Sequence, residues 1–127
     1  MCNGGGPPKI IITFSATTAT PHPPGISDGS NTISIGAGGD EAFTTVVKPG
    51  QKVQFKVDGD ISGITSITEG PGSDIFETDP SAKNDWTGTI GKDLADDDTR
   101  EYTVCYNVNG APSNPYCQDP ELKMKRK

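Results

Sequence analysis

Three cysteines, one histidine and seventeen carboxylic acids are the side chains of this chain that could carry chemistry. Nucleophilic catalysis of the Ser–His or Cys–His type needs an imidazole held by a partner, and a blue-copper site needs two imidazoles and a thiolate. His22 is the only histidine and stands between Pro21 and Pro23, in a stretch that predicts an exposed loop. The sequence offers no catalytic residue, and we predict that the protein is not an enzyme.

The spacing of the other metal-binding side chains also argues against a metal site. Zinc sites use closely spaced Cys and His pairs, whereas eleven residues separate Cys105 from Cys117. The acidic stretches 58–60 and 96–98 offer oxygen ligands for calcium, but neither follows the twelve-residue calcium-loop pattern. We therefore predict neither a metal nor a cofactor.

Cys105 and Cys117 flank a turn-rich stretch that predicts an antiparallel hairpin. Alternation puts both cysteines on the outward face, and the register that pairs them also pairs Tyr106 with Tyr116 on the inward face. The two cysteines are the disulfide candidates if the compartment is oxidising, and a bridge over so short a loop stabilises by about 3 kcal/mol. In a reducing cytosol the same thiols would lie on the surface.

Cys2 is the lipidation candidate. The run Met-Cys-Asn-Gly-Gly-Gly-Pro-Pro resembles the mature end of a bacterial lipoprotein, in which an acylated cysteine leads a glycine-rich tether. We expect residues 1–8 to form a flexible tether and residues 9–127 a single domain. The alternative is a cytosolic protein that begins Met-Cys. We favour a secreted or cell-envelope location over the cytoplasm.

Charge and hydropathy argue against nucleic-acid binding and against a membrane-spanning segment. The net charge is −6, and twelve of the seventeen acids lie between Asp58 and Glu101, so we expect no nucleic-acid binding. No apolar run approaches eighteen residues, so we expect no transmembrane segment and leave a lipid anchor as the candidate membrane attachment. The basic run 123–127 is interpreted as a solvated chain end.

Short alternating runs between turns rich in glycine and proline predict an all-β fold. The clearest strand covers 51–57, where Val53, Phe55 and Val57 point one way and Lys52, Gln54 and Lys56 the other. Such strands, with no helical period, indicate an antiparallel β-sandwich of about seven to nine strands with long loops. The other predicted strands cover 9–15, 31–36, 42–47, 61–69 and 84–90 and the two arms of the closing hairpin.

The stretch 45–57, in which a Pro-Gly turn precedes a Val-x-Phe strand, resembles cupredoxin-like and immunoglobulin-like sandwiches. The closing hairpin lies where cupredoxins carry copper ligands, but this chain lacks the second imidazole. Tyr102 precedes Cys105 by three residues rather than the two found before the second core cysteine of immunoglobulin domains. The stretch 116–125 resembles the end of small bacterial proteins of unassigned function, a resemblance that implies no activity.

Trp86 is the side chain for which a structural and a binding interpretation compete. A single tryptophan in an alternating strand is usually core, but it is also the residue on which sugars stack. Our first hypothesis is a non-catalytic binding or structural module of the bacterial envelope or secreted space, whose partner is an unknown protein or small ligand. The alternatives are a cytosolic accessory protein that binds a partner protein and a small hydrolase that uses acidic residues.

Overall fold

The protein is a two-layered all-β molecule, as the alternating runs predict. The structure, a computed structural model, describes residues 9–36, 43–69, 75–92 and 94–125. Eleven strands and one short 3-10 helix (Ala82–Asn84) lie within those ranges. The strands are β1 (Ile10–Ala16), β2 (Gly25–Ser27), β3 (Thr32–Ile33), β4 (Thr44–Val47), β5 (Lys52–Gly59), β6 (Ile61–Glu69), β7 (Phe76–Thr78), β8 (Thr87–Ile90), β9 (Thr99–Val108), β10 (Tyr116–Gln118) and β11 (Glu121–Met124).

The strands form two mixed sheets. The first has the order β3-β2-β1-β5-β8-β7. In the second, the long strand β9 pairs with β6, with β10 and with β11, and β4 lies beyond β11. Most neighbours are antiparallel, but β1 runs parallel to β5 and β4 runs parallel to β11. The chain crosses from the first sheet to the second through Asp60, which alone separates β5 from β6.

The core follows from side-chain alternation. Buried residues alternate with more exposed ones from Ile12 to Ala16 of β1 and from Tyr102 to Val108 of β9, whereas β5 buries Val53, Gln54 and Phe55 in succession. These three strands lie near the middle of their sheets. Edge-to-face contacts join the layers: the ring of Tyr102 lies 5.5 Å from that of Phe55 and 6.5 Å from that of Phe76. The Tyr102 hydroxyl is buried and finds no hydrogen-bond partner among the described residues.

The closing hairpin, residues 99–118, has the predicted register. Cys117 pairs with Cys105 and Tyr116 with Tyr106. After Asp119 and Pro120 the chain continues as β11, which pairs with the first residues of β9 on one side and with β4 on the other. The final strand is therefore interior to the sheet.

Several strand predictions differ from the structure in detail. Strand β2 lies outside the predicted strands, because three residues are too few to show alternation, although Ile26 packs into the core. Strand β7, which begins at the buried residue Phe76, lies outside the predicted strands for the same reason. The run predicted to be a strand over 31–36 forms a ladder only at Thr32–Ile33.

Residues 1–8, which carry the predicted tether and Cys2, lie outside the described residues. Across the ranges that the structure does describe, no helix has the length and apolar character that crossing a membrane would require.

Candidate functional site

Cys105 and Cys117 lie where the sequence places them, on the outward side of the hairpin. Their Sγ atoms are 2.02 Å apart, which is bonding distance, and their Cα atoms are 4.1 Å apart. Cys117 is exposed and Cys105 half-buried. Sulfur atoms joined in this way are not thiolates, so this pair offers neither a nucleophile nor a metal ligand.

Tertiary structure brings His22 to the hairpin, which its position in the sequence does not reveal. Its Nε2 atom lies 2.9 Å from the carbonyl oxygen of Cys117, and its ring stacks on Tyr116 at 6.2 Å. The hydroxyl of Tyr106 donates to the carbonyl of Pro21, 2.8 Å away, and so ties the same loop to the hairpin. The side chain remains exposed, and its contacts hold a loop in place.

The acidic stretches considered for calcium are used in turns and ion pairs. Asp58 accepts the N–H of Gly59 and Asp60 accepts that of Thr18. Lys125 lies 2.7 Å from the carboxylate of Asp97, and this hydrogen bond lowers the pKa of Asp97. Among the described residues, no group of three or more His, Cys, Asp or Glu side chains is placed to hold a metal ion.

Glu69 and Asp79 are the carboxylates that the fold brings together. Burial raises the pKa of Glu69; hydrogen bonds from the N–H groups of Ile75 and Phe76 oppose this rise, while Asp79 adds to it. One oxygen of Glu69, Oε2, accepts both N–H groups and so joins the end of β6 to the start of β7. A carboxylate occupied in this way positions a chain segment, which argues against its use as a catalytic acid or base.

A cleft of about 320 Å³ opens between the two sheets, beside the crossing from β5 to β6. Its apolar wall consists of Phe55 and Val57 from β5, Ile64 from β6 and the indole of Trp86. Phe55 is buried, whereas the other three side chains are half-buried and complete the edge of the core. We call this opening the Trp86 cleft.

Two charged residues and one glycine complete the Trp86 cleft: Lys56, Asp85 and Gly63. Lys56 and Asp85 are exposed. A Cβ atom added to Gly63 would meet no atom within 4 Å, so the β6 side of the cleft is open. The cleft therefore joins an apolar wall to a rim that holds one positive and one negative charge.

The loop before β8 sets the position of Trp86. The side chain of Asn84 accepts the N–H groups of Ser81 and Thr87, and the N–H of Trp86 donates to Ser81. Asp85 and Trp86 consequently have φ values of 57° and 55°. Such backbone is tolerated by aspartate but is strained for a bulky aromatic residue, and strain of this kind concentrates at functional sites.

The same loop opens the cleft by ending a ladder early. Strand β8 pairs with β5 over Lys52–Gln54, and the last bond runs from the N–H of Phe55 to the carbonyl of Trp86. The N–H of Trp86 turns back to Ser81, so β8 leaves the edge of β5 at that point. We predicted a strand over 84–90; it begins instead at Thr87, because the Asn84 turn takes the three preceding residues out of the ladder.

Asp85 is held in place beside the indole. The side-chain amide of Gln54 donates to Oδ2 of Asp85 at 2.8 Å and to its backbone carbonyl at 3.2 Å. Lys9 in turn donates to Oε1 of Gln54 at 3.0 Å. Burial and the hydrogen bond from Lys9 hold the Gln54 side chain in place, and Gln54 in turn holds the carboxylate of Asp85.

No protein-family profile matches the sequence, and a search of curated proteins returns no significant relative. An aromatic wall with one fixed carboxylate and one exposed ammonium group at its rim is suited to holding a small molecule. The sequence singled out Trp86 but not the cleft, because Phe55, Ile64 and Trp86 come from three separate parts of the chain.

Proposed function

We propose that this protein is a non-catalytic binding module that holds a small ligand in the Trp86 cleft. The observation that carries the proposal is the placement of Trp86, whose indole lines an open, mostly apolar cleft on a strained backbone. Ligand pockets are concave, largely apolar and equipped with a few fixed polar groups, and this cleft combines an apolar wall with one carboxylate, that of Asp85, held by Gln54.

The proposed location is the secreted space or the bacterial cell envelope. Support comes from the Cys105–Cys117 pair, which lies at bonding distance on the outside of the hairpin, where cytosolic reductants would reach it. Anchoring through Cys2 belongs to the same proposal. A cupredoxin-like or immunoglobulin-like plan remains our proposal for the type of sandwich, supported by two packed sheets with the Val-x-Phe strand at the centre of one.

Tryptophan fluorescence tests the binding function, because Trp86 is the sole tryptophan and its emission reports on the surroundings of one indole, which lines the cleft. A fragment library that spans sugars, amino acids, aromatic rings and short acyl chains should contain compounds that shift the emission saturably. The blocking variant is Gly63→Leu, which adds a bulky side chain beside the cleft at a position where a Cβ atom meets no neighbour. Binding should weaken in that variant while the folded structure is kept. A library without a single saturable ligand would overturn the proposal.

Mass spectrometry of the native protein tests the location. Alkylation without reduction should leave Cys105 and Cys117 unmodified, and Cys2 should carry a lipid if the anchor is present. Free thiols at all three positions would instead support the alternative of a cytosolic accessory protein.

A further inference from the structure

We infer that the ligand of the Trp86 cleft is a neutral carbohydrate, whose ring stacks on the indole of Trp86. The inference rests on the proposed binding function and names the class of ligand. Three features of the cleft support it. They are an aromatic wall, two opposite charges at the rim (a fixed one on Asp85 and an exposed one on Lys56), and the edge of β5 beyond the end of β8.

The aromatic wall suits one face of a sugar ring. A pyranose presents C–H groups on a face and hydroxyl groups around its edge, so it buries the face against an aromatic ring and leaves the edge for hydrogen bonds. The indole of Trp86 packs against the core on one side and borders the cleft, which keeps it in place before a ligand arrives. Because the wall is set in advance, binding costs little side-chain ordering.

The rim supplies the hydrogen bonds that sugar hydroxyl groups need. Asp85 uses Oδ2 for the amide of Gln54, and no hydrogen bond from a described residue reaches Oδ1. Lys56 is exposed and makes no ion pair with any described residue. A hydroxyl group both donates and accepts, so it can satisfy a carboxylate and an ammonium group alike. The opposite charges cancel, which favours a neutral polar ligand over an anion or a cation.

The backbone of β5 adds further donors and acceptors. The N–H of Phe55 points towards β8, and alternate residues of a strand direct their polar groups to the same edge. The N–H and carbonyl of Val57 therefore face the same edge as those of Phe55, where no described strand pairs with β5 beyond the end of β8. Val57 itself lines the cleft. An acyl chain would leave these groups and the two charges without partners, and that cost argues against a purely apolar ligand.

The size of the cleft sets the length of the sugar. At about 320 Å³ it lies at the small end of ligand pockets, which begin at about 300 Å³. It is suited to a single sugar ring or to the terminal ring of a longer glycan. Because the cleft is open on the β6 side, the remainder of a glycan can extend into solvent.

Isothermal titration with a panel of neutral mono- and disaccharides, including N-acetylated sugars, tests the inference. At least one sugar should bind the wild-type protein, and Trp86→Ala should weaken that binding about tenfold or more. Trp86→Phe, which keeps a smaller ring, should restore part of the affinity and covers the case in which the alanine variant does not fold.

Two further variants probe the rim. Asp85→Asn keeps an acceptor for Gln54 and tolerates the positive φ, and the loss of charge should weaken sugar binding about tenfold. Lys56→Met should weaken it, whereas Lys52→Met, on the same face of β5 but outside the cleft, should not.

The outcomes separate the inference from the proposed function. If sugars fail to bind but aromatic fragments, amino acids or acyl chains shift the emission of Trp86, the inference falls and the binding function stands. Sugar binding that survives both Trp86→Ala and Gly63→Leu would place the sugar elsewhere and would also overturn the inference. If no compound of any class binds, both proposals fall.

Discussion

The closing hairpin and the Trp86 cleft are stabilised in opposite ways. In the hairpin, partners lie close in sequence: Cys105 and Cys117 are 12 positions apart and their sulfur atoms are joined. In the cleft, Phe55, Ile64 and Trp86 come from three elements and meet only in the folded chain. The hairpin is cross-linked and regular, whereas the cleft is bordered by two consecutive residues with positive φ.

This difference separates a cross-linked region from the region in which we propose that a ligand binds. Loop closure at short range costs little entropy, so a local hairpin forms readily and a bridge secures it. A cleft needs an interrupted ladder and a partly exposed aromatic wall, and here it also needs strained backbone, which lowers stability. The molecule carries its disulfide at one of these places and two consecutive non-glycine residues with positive φ at the other.

Removal of the disulfide should change the stability of the protein more than any other variant considered for the two regions. The double variant Cys105→Ala, Cys117→Ala should lower the free energy of unfolding by about 3 kcal/mol, because the unfolded chain regains the freedom that the bridge removes. Urea unfolding measures this change. Wild-type protein in reductant should lose a similar amount, and an unchanged midpoint in both samples would show that the hairpin does not depend on the bridge.

The loop that positions Trp86 should be nearly as sensitive to overpacking. A Cβ atom on Gly88 would lie 2.8 Å from both Phe76 and Pro80, so Gly88→Ala should destabilise by about 1–3 kcal/mol. Gly63→Ala is the matched control, since its Cβ meets nothing within 4 Å. Thermal unfolding compares the two, and equal melting temperatures would contradict the close packing of this loop on β8.

Two tyrosines of β9 should respond in opposite directions. The hydroxyl of Tyr106 donates to Pro21, so Tyr106→Phe should cost about 1 kcal/mol. The hydroxyl of Tyr102 is buried without a partner among the described residues, so Tyr102→Phe should be neutral or stabilise by about 1 kcal/mol. Denaturant titrations of both variants test the pair, and a marked loss of stability in Tyr102→Phe would mean that its hydroxyl has a partner.

The smallest predicted effect concerns pH. The pKa of Glu69 is raised in the folded protein, so the folded state binds this proton more tightly than the unfolded chain does. The stabilisation is fully present below the usual glutamate pKa of 4.5 and is lost as pH rises through the folded-state value. Glu69→Gln retains an acceptor for Ile75 and Phe76 and should flatten this part of the stability profile. A profile that is identical in both proteins would contradict the assignment.

Much of the fold can be predicted from the sequence, because alternation is a local property. The inward residues of β5 and β9 and the register of Cys105 with Cys117 follow from counting positions. Strands β2 and β7 escape this reasoning, since three residues cannot display a period and their partners are distant in the chain. The parallel pairing of β1 with β5 is likewise invisible locally, because it depends on which strands become neighbours.

The candidate site was less accessible to prediction. Trp86 stood out as the lone tryptophan, but alternation placed it within a strand, whereas the Asn84 turn places it before one. The partnership of Asp85 with Gln54 spans 31 positions, and no sequence pattern announces it. His22 reaches the hairpin across 95 positions in the same way.

By itself, the sequence determined that the chain forms sheets, which faces of the main strands are buried and which two cysteines can meet, because each of these depends on neighbours within a strand or a hairpin. Only the tertiary structure decided where the sheets part and what borders the opening, because a cleft is made by elements that pack together without pairing. The pairing of β8 with β5 stops at Trp86 because the N–H of Trp86 donates to the carbonyl of Ser81 instead of to β5. The early end of this pairing opens the Trp86 cleft.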